Sequence, residues 1–480
     1  MLIFVFLFAA CHHSFDEEEE MLRHGDGKIS GIPHGGGSGA PPLGTLCTVT
    51  YSGNGSTSGT APTDLSSPYA VGVPVTVLGT GTLIKIGHSF VGWNTAANGS
   101  GTSYPTAATF NITSNTILYA QWTAVATTYT VTFNSNGGSA VTPAAGIAFS
   151  AAVTQPANPT KAGYVFCGWY KESAINNRWN FTLDTVTSNV TLYAGWYVPI
   201  DMVSSTGGTF NMGSPTTEPG RYGGEPLRSV TLSAFSIGKY TVTQEQYESV
   251  VGTNPSWHST TRGNLPDLGE TDVKRPVEMV NWYEAIVFCN RLSIMTGLDP
   301  VYEINGSTNP DSWGAVPTVT LDNVIYSGVV MLPANGYRLP TEAEWEFACR
   351  AGTITAFNDG NDDYTNTAQV ITVAWYSPNS NTKTHQVGLL GGNNWNLFDM
   401  HGNVGEWCWD WYDDYSYSFQ TRTKSTATGN EDPAGPSFGT ARVLRGGAFH
   451  SDGRRIRSAY RDSYGPKNRD ISNGFRVVRS

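Results

Sequence analysis

The residues able to do chemistry are few and scattered in this sequence of 480 residues. Its six cysteines form no CxxC pair and no cysteine-histidine ladder, so neither a disulfide framework nor a zinc finger is predicted. Cys408 stands between two tryptophans in GEWCWDW. We interpret it, like Cys289 and Cys349, as a buried and inert thiol rather than as a nucleophile. Redox chemistry would therefore need another support.

The C-terminal stretch AFHSDGRRIRSAYRDSYGPKNRDISN, residues 448–473, has the composition of a recognition surface. Tyr offers contact area at low entropy cost, Arg offers planar charged hydrogen bonds, and Ser and Asn adapt to a partner. We expect the candidate contact residues to lie exposed on one face. They are His450, Asp452, Arg454, Arg455, Ile456, Tyr460, Asp462, Ser463, Tyr464, Asp470, Ile471 and Ser472. The alternative is an ordinary surface loop whose arginines hold the fold. Arg457 and Arg461, which are not among the candidate contacts, are expected to be structural arginines of this kind.

Helices with clear start signals must position this tail. Between long Gly- and Asn-rich stretches of residues 201–480, capping boxes begin at Thr243, Asn281 and Thr341. The apolar residues expected on one buried face of the second and third helices are Trp282, Ala285, Ile286, Cys289 and Leu292, and Trp345, Ala348 and Cys349. These features predict one separate domain of about 280 residues.

Charge and composition exclude a general nucleic-acid binder. Lys plus Arg is 28 against Asp plus Glu 39, which gives a net charge of −11. Charged residues make up only 14%, whereas Gly reaches 54 residues, so small polar residues must solubilise most of the surface. This balance is typical of an exported, β-rich protein, and the length predicts about three domains.

The amino terminus predicts an export signal over residues 1–11. Leu2–Ala10 is an apolar run of nine residues, too short to span a bilayer but suited to the core of a signal peptide. The small residues before Cys11 resemble a bacterial lipobox, in which the thiol of that cysteine is acylated. The alternative is a plain secretory peptide. Residues 12–45 are acidic and then rich in Gly, Pro and Ser, which predicts a flexible tether.

One small β unit occurs twice, at residues 46–123 and 128–197. GHSFVGW and TSNTILYAQW in the first copy correspond to GYVFCGW and TSNVTLYAGW in the second. Alternating apolar and Thr/Ser positions predict half-buried strands. The residues expected to fill the cores, rather than form an aromatic ligand platform, are Trp93, Trp122, Trp169, Trp196 and Cys167. These units resemble Listeria-Bacteroides repeats of the internalin B type, which serve as stalks or spacers on bacterial surfaces.

Seven sequence blocks of the C-terminal domain stand in the order found in the formylglycine-generating enzyme, or sulfatase-modifying factor, family. They are GGTFNMGS, SIGKYTVTQEQY, RPVEMVNWYEAIVFCNRLS, GYRLPTEAEWEFACRAG, HGNVGEWCWDWY, RVLRGGAF and GFRVV. The resemblance implies an α+β fold of the C-type-lectin-like class for residues 201–480, with much irregular structure, preceded by the two small β-rich repeat domains.

The resemblance also implies metal chemistry that this sequence does not support. Members of the family oxidise a substrate cysteine with oxygen, using copper held by two thiols five residues apart just after RGGSF. Ser451 and Ile456 occupy the matching positions, and neither offers a thiolate, so no copper is expected. Other members of the wider family use iron on a histidine triad. The histidines here, which show no paired spacing for such a triad, are His258, His385, His401 and His450.

A structural calcium ion is the cofactor that the resemblance leaves open. In the family a side-chain oxygen, two backbone carbonyls and a glutamate hold calcium, and hard oxygen ligands on a tight loop suit that ion. The matching positions are Asp399, Gly402, Val404 and Glu406. Alternatively, the two carboxylates cap backbone groups or pair with an arginine such as Arg445. A bound ion would stabilise the fold without doing chemistry.

The ending of the chain, RGG followed by a polar aromatic stretch and GFRVVRS, resembles the variable proteins of diversity-generating retroelements, including treponemal ones. In that family, adenine-directed mutation yields a residue set without Lys, Glu, Gln, Met or Trp, and only Lys467 in residues 448–473 departs from it. We therefore predict a ligand-binding protein at the bacterial cell surface, attached to the membrane through a lipid anchor only. Its partner is an unknown protein or glycan and not a nucleic acid. The alternatives are a formylglycine-generating oxidase acting on a sulfatase cysteine, and a structural adhesin with an invariant tail.

Overall fold

The computed structural model describes residues 45–125, 128–413 and 431–480. The predicted leader with Cys11, and the tether up to residue 44, lie outside the described residues. Two compact units are present, Met1–Val125 and Ala126–Ser480. No helix in the described ranges combines the length and apolarity needed to cross a membrane.

The first unit is a small β structure around its own core. Its strands are β1 (Leu46–Cys47), β2 (Val49–Ser52), β3 (Tyr69–Ala70), β4 (Pro74–Thr76), β5 (His88–Asn94), β6 (Ser103–Tyr104), β7 (Thr109–Asn111) and β8 (Thr116–Ala124). The main sheet has the order β2-β8-β5-β6, with β2 parallel and β5 antiparallel to β8. Trp93 is fully buried and packs edge-on against Tyr51 and Phe90, whereas Trp122 is only half-buried.

The second repeat opens the second unit with the same strand arrangement. Its strands are β9 (Thr128–Asn134), β10 (Ala144–Ala148), β11 (Val165–Tyr170) and β12 (Val190–Tyr197). In the sheet β10-β9-β12-β11, β9 runs parallel and β11 antiparallel to β12, as β2 and β5 do to β8. Trp169, Trp196 and Cys167 are buried, so the predicted core assignment is confirmed for them.

The remaining elements belong to a head that follows the second repeat. Its strands are β13 (Met202–Ser205), β14 (Gly208–Met212), β15 (Arg228–Leu232), β16 (Phe235–Gly238), β17 (Tyr302–Glu303), β18 (Val330–Met331), β19 (Ala374–Trp375), β20 (His401–Gly402), β21 (Gly405–Trp411), β22 (Arg442–Arg445), β23 (Asp462–Tyr464), β24 (Asn473–Gly474) and β25 (Val478–Arg479). Its helices are α1 (Gln244–Val251), α2 (Trp282–Thr296), α3 (Glu342–Arg350) and α4 (Thr367–Val370).

The three predicted capping boxes are confirmed. The side chains of Thr243, Asn281 and Thr341 each accept from the backbone of the third helical residue, whose side chain bonds back to the cap. In α2 the predicted apolar face is buried, and so are Tyr283, Val287 and Phe288. This helix is therefore a central core element rather than a surface helix.

Short sheets and two large apolar clusters organise much of the irregular remainder of the head. One cluster surrounds α2, and the other lies between α3 and residues of β15, β16 and β21. The sheet β23-β22-β21-β24 carries both ends of the tail, and β25 closes the three-stranded sheet β13-β16-β25. Both ends of the tail are therefore held by strands of the sheet β23-β22-β21-β24.

Candidate ligand-binding surface

The tail leaves β22 through two glycines whose backbone conformation other residues rarely adopt. Gly446 and Gly447 have φ angles of 88° and 66°, in the left-handed region. A Cβ atom on Gly447 would lie 2.4 Å from the carbonyl oxygen of Arg455. The turn therefore allows the chain to fold back closely on itself.

The two positions that match the copper ligands of the family are built for packing. Ser451 Oγ accepts a hydrogen bond of 3.0 Å from the backbone N–H of Ala448. Ile456 is fully buried in an apolar cluster with Phe357, Val370 and Tyr376. A hydroxyl already engaged in a turn and a hydrocarbon side chain do not fit a copper ion, which prefers thiolates.

The remaining thiols of the head are buried, as predicted. Burial raises the pKa of Cys349 to about 12 and raises the pKa of Cys289 and Cys408 further above the ordinary value. Each is fully shielded from solvent. The thiolate is the reactive and ligating form, and a raised pKa disfavours it. These side chains therefore act as packing residues of the core.

Buried ion pairs hold the middle of the tail. Arg457 donates to Glu218 and, at 2.8 Å, to Glu225, and it has no exposed surface. Arg461 forms a two-pronged pair with Glu342, with one bond of 2.9 Å. The prediction that these two arginines hold the fold is confirmed.

Nine of the twelve predicted contact residues are exposed or half-exposed. They are His450, Asp452, Arg454, Arg455, Asp462, Ser463, Tyr464, Asp470 and Ile471. The expectation of exposure is wrong for Ile456, Tyr460 and Ser472. The first belongs to the core cluster described above, the ring of the second packs on Tyr222 at 5.2 Å, and the hydroxyl of the third donates to Asp470 Oδ1 at 2.5 Å.

The exposed tail residues form two groups with different neighbours. In the first group, Arg455 lies beside Tyr222, which raises the pKa of its guanidinium, and Arg454 forms an exposed ion pair with Asp452 at 3.2 Å. The second group consists of Asp462–Tyr464 of β23 together with Asp470 and Ile471. Arg469, beside these last two residues, pairs with Glu284 of α2.

The segment 403–405 connects the two groups. Phe449 donates to the carbonyl of Asn403, and Gly405 donates to the carbonyl of Ser472. His450 and Ile471, which follow and precede these contacts, therefore lie on neighbouring stretches of backbone.

Sequence reasoning from the tail missed the residues that border it from far away in the chain. Tyr222 is 37% exposed and Trp257 is 45% exposed, both on irregular segments of the head. The next residue, His258, stacks edge-on against Phe449 at 4.8 Å. No periodic pattern marks these loops, so only the fold could bring them to the tail.

A buried acid lies beside the same loop. The backbone N–H of His258 donates to Glu278 Oε1 at 2.7 Å, and burial raises the pKa of Glu278 to about 7. Burial, with Arg275 nearby, lowers the pKa of His258 to about 4. Both side chains are therefore uncharged in weakly acidic solution.

The two carboxylates of the predicted calcium site, Asp399 and Glu406, are engaged in other contacts. Both Glu406 oxygens accept from Arg476, each at 2.7 Å, and also from Trp345 at 2.6 Å and Thr241 at 2.8 Å. Asp399 accepts from the backbone N–H of Gly388 at 2.7 Å. A carboxylate whose lone pairs are all taken by donors does not fit calcium. The structure contains the alternative contact, a pair between Glu406 and an arginine. The arginine is Arg476 rather than the suggested Arg445.

The comparisons with known proteins define the class of this chain. Residues 198–480 match the sulfatase-modifying factor enzyme 1-like domain, and residues 48–121 and 129–195 match the Listeria-Bacteroides repeat domain. The chain belongs to the sulfatase-modifying factor enzyme 1-like family. Its head has the α+β, C-type-lectin-like fold that the sequence predicted, and two β-rich repeats precede it.

Particular relatives carry different names. A protein of Paenibacillus barcinonensis named chaperone protein LppX is 34% identical over 53% of this chain and 82% of its own length. A formylglycine-generating enzyme of Thermomonospora curvata is 29% identical over 58% of this chain and 92% of its own length. Among solved structures, Treponema denticola variable protein 1 is 33% identical, with a TM-score of 0.49 over 62% of this chain and 98% of its own.

Proposed function

We propose that this protein is a surface-anchored ligand-binding protein whose head presents the tail, residues 448–473, as a diversified recognition face. One observation carries the proposal. The nine exposed or half-exposed side chains of the tail stand on a backbone held by Arg457, Arg461 and the β22–β23 pairing. The framework therefore depends little on the identity of the exposed side chains, which is what a variable surface requires.

The chemistry of the tail supports binding over oxidation. The family's copper positions hold an engaged hydroxyl and a buried hydrocarbon, while charged and aromatic side chains face solvent on both sides of them. Arg and Tyr are the residue types that dominate binding energy at protein interfaces. The ligand that fits this mixed surface is a protein or a glycan.

The rest of the chain suits display at a bacterial surface. In this proposal Cys11 carries the lipid, the tether gives freedom of movement, and the two repeats act as spacers. The lipid would be the only membrane attachment. Mass spectrometry of the membrane fraction tests this step: a diacylated or triacylated peptide beginning at Cys11 is expected, and a free amino terminus elsewhere would overturn it.

A randomised library tests the recognition face. The nine exposed positions would be varied together in the displayed full chain, which would be sorted first for protease resistance and then for binding to a panel of proteins and immobilised glycans. We expect most variants to stay folded and some to bind panel members selectively. The matched control library varies Ile456, Arg457, Tyr460 and Arg461, and it should lose protease resistance.

Two outcomes would contradict the proposal. If the exposed-position library loses protease resistance as readily as the control library, the tail is structural throughout. Copper-dependent conversion of a cysteine in a sulfatase-derived peptide by the purified protein would support the oxidase alternative instead. Isolates that differ at the exposed positions but not at the buried ones would give independent support.

A further inference from the structure

Three potential metal ligands converge from two loops of the head, away from the predicted calcium positions. His385 Nδ1 lies 2.7 Å from Glu270 Oε1 and 3.8 Å from Asp267 Oδ2. All three ligand atoms lie within 4.8 Å of one another. Glu270 and Asp267 belong to the loop before residue 275, and His385 belongs to the loop after β19.

The contact of the other ring nitrogen, Nε2, determines which nitrogen of His385 carries the hydrogen. Nε2 lies 2.8 Å from the carbonyl oxygen of Ser380. A carbonyl oxygen can only accept, so Nε2 carries the hydrogen and, in the neutral ring, Nδ1 presents its lone pair to the carboxylates. The lone pairs of Nδ1 and of the two carboxylate oxygens repel one another unless a positive charge lies between them.

The groups around the cluster leave room for that positive charge. The carboxylate oxygens that do not face His385 have other donors. Lys383 donates to Asp267 Oδ1 at 2.6 Å, and the backbone N–H of Gln386 donates to Glu270 Oε2 at 3.2 Å. The inner oxygen Asp267 Oδ2 receives one long contact of 3.4 Å from Asn381. Two carboxylates and one lysine leave a net negative charge at the cluster, which a divalent cation would offset.

The surroundings hold the histidine ring before any ion binds. The His385 side chain is 1% exposed and stacks on the Trp375 ring at 3.8 Å between centroids. Asn403 donates to its carbonyl and accepts from its N–H, both at 3.0 Å. Asp267 is 37% exposed, so an ion can reach the cluster from solvent. Rigid inner ligands and one accessible carboxylate describe a preformed, open site.

We propose that Asp267, Glu270 and His385 form a binding site for one divalent transition-metal ion of the zinc type. An imidazole nitrogen with two carboxylates suits Zn²⁺ better than Ca²⁺ or Mg²⁺, which favour oxygen ligands. Ligand atoms about 2.0–2.2 Å from zinc lie about 3.3 Å apart in a tetrahedral site. The observed separations of 2.7 and 3.8 Å bracket that value, so small side-chain shifts suffice.

A bound ion would join the loop of residues 267–270 to a segment that supports the tail. Ser380 Oγ donates to the carbonyl of Phe449 at 2.7 Å, and the N–H of Ser377 donates to the carbonyl of Ser451 at 3.1 Å. The ion would therefore stabilise the backbone beneath the first exposed group of the tail. This proposal does not rest on the proposed recognition function.

Isothermal titration of the metal-stripped full chain with zinc chloride tests the site. We expect one zinc ion per chain, with affinity weakened at least tenfold by Asp267→Asn and by His385→Gln. The matched control is Asp322→Asn, because Asp322 also forms a 2.6 Å pair with a lysine, Lys467, but has no histidine partner. Its affinity should equal that of the unchanged protein.

A second measurement keeps the test independent of folding defects. Co²⁺ in place of zinc should give visible absorption bands from the unchanged protein and from Asp322→Asn, and these bands should be lost in Asp267→Asn. Circular dichroism of each metal-free variant checks that it is folded. Stoichiometric zinc binding that neither ligand substitution weakens, or no zinc binding by the folded chain, would overturn the proposal. The latter result would mean that a proton, in an imidazolium–Glu270 pair, fills the cluster.

Discussion

Two arginines three residues apart in the motif GRRIR have opposite environments. Arg457 is buried between Glu218 and Glu225, whereas Arg454 is exposed and pairs with Asp452. We predict that Arg457→Ala lowers the free energy of unfolding of the head by about 3–5 kcal/mol, because it removes the cation that is paired with two buried carboxylates. Arg454→Ala should leave it nearly unchanged. Chemical denaturation of the two variants checks the pair, and equal losses would contradict the division of the tail into framework and surface.

Glu278 predicts a specific dependence of stability on pH. Its pKa is about 7 in the folded protein against 4.5 for an ordinary glutamate, because burial disfavours the charged form. The folded state therefore binds more protons between these two values, and stability falls as pH rises from about 4.5 to about 7. Glu278→Gln removes this charge, so it should raise the melting temperature at pH 8. The gain, on the order of 3 kcal/mol at most, should disappear below pH 5.

The control for this prediction is Glu248→Gln, on the exposed side of α1. It should show no difference from the unchanged protein that depends on pH. A melting temperature of Glu278→Gln that is offset equally at pH 5 and pH 8 would mean that the acid is not the source of the pH dependence.

At the scale of elements, the helix caps connect local sequence to the buried charge network. Thr341 caps α3, and Glu344, its capping-box partner, also forms two bonds of 2.7 Å with Arg338. We predict that Thr341→Ala lowers the free energy of unfolding by about 1 kcal/mol, because the N–H of Glu344 loses its acceptor. Thr341→Ser keeps the hydroxyl and should recover most of the loss. Thermal unfolding of both variants measures the difference, and equal losses would assign the effect to packing of the methyl group.

Three of the four helices described in the head, α1, α2 and α3, were predictable from sequence because their signals are local. Each of the three capping boxes lies within four residues, and each begins the helix that it predicts. The head strands were not predictable in the same way, since most contain two to five residues and pair with partners far along the chain.

The exposed side of the tail was predictable only in part. Composition identified an exposed, polar segment, and nine of the predicted residues follow it. The errors at Ile456 and Tyr460 arise because residues 356–376 and Tyr222 pack over them. The cluster of Asp267, Glu270 and His385 left no signal in the sequence, since more than a hundred residues separate its two loops. Residue spacing alone could not have brought them together.

At the scale of the whole molecule, the two repeats share a topology but differ in what surrounds them. The first has its own apolar core around Trp93 and belongs to a separate compact unit. The second contacts α1 and α2 of the head through β11 and β12, and Tyr197 packs against the cluster around α2. The N–H of Val198, just after β12, also donates to Ser249 Oγ at 3.0 Å. Repetition in the sequence predicted two equal units, whereas the structure makes one of them a structural extension of the head.

This difference predicts unequal behaviour of the excised repeats. Residues 45–125 should fold alone with a cooperative melting transition, because their core is complete. Residues 128–197, once cut from the head, expose the face that meets the helices, and their melting temperature should fall by at least about 5 °C. Hydrogen exchange of β12 amides, measured in the excised repeat and in residues 128–480, locates the effect. Faster exchange in the excised repeat is expected, since β12 would lose the covering of α1. Unchanged protection of these amides would show that the second repeat is stable without the head and that its contacts with α1 and α2 contribute little.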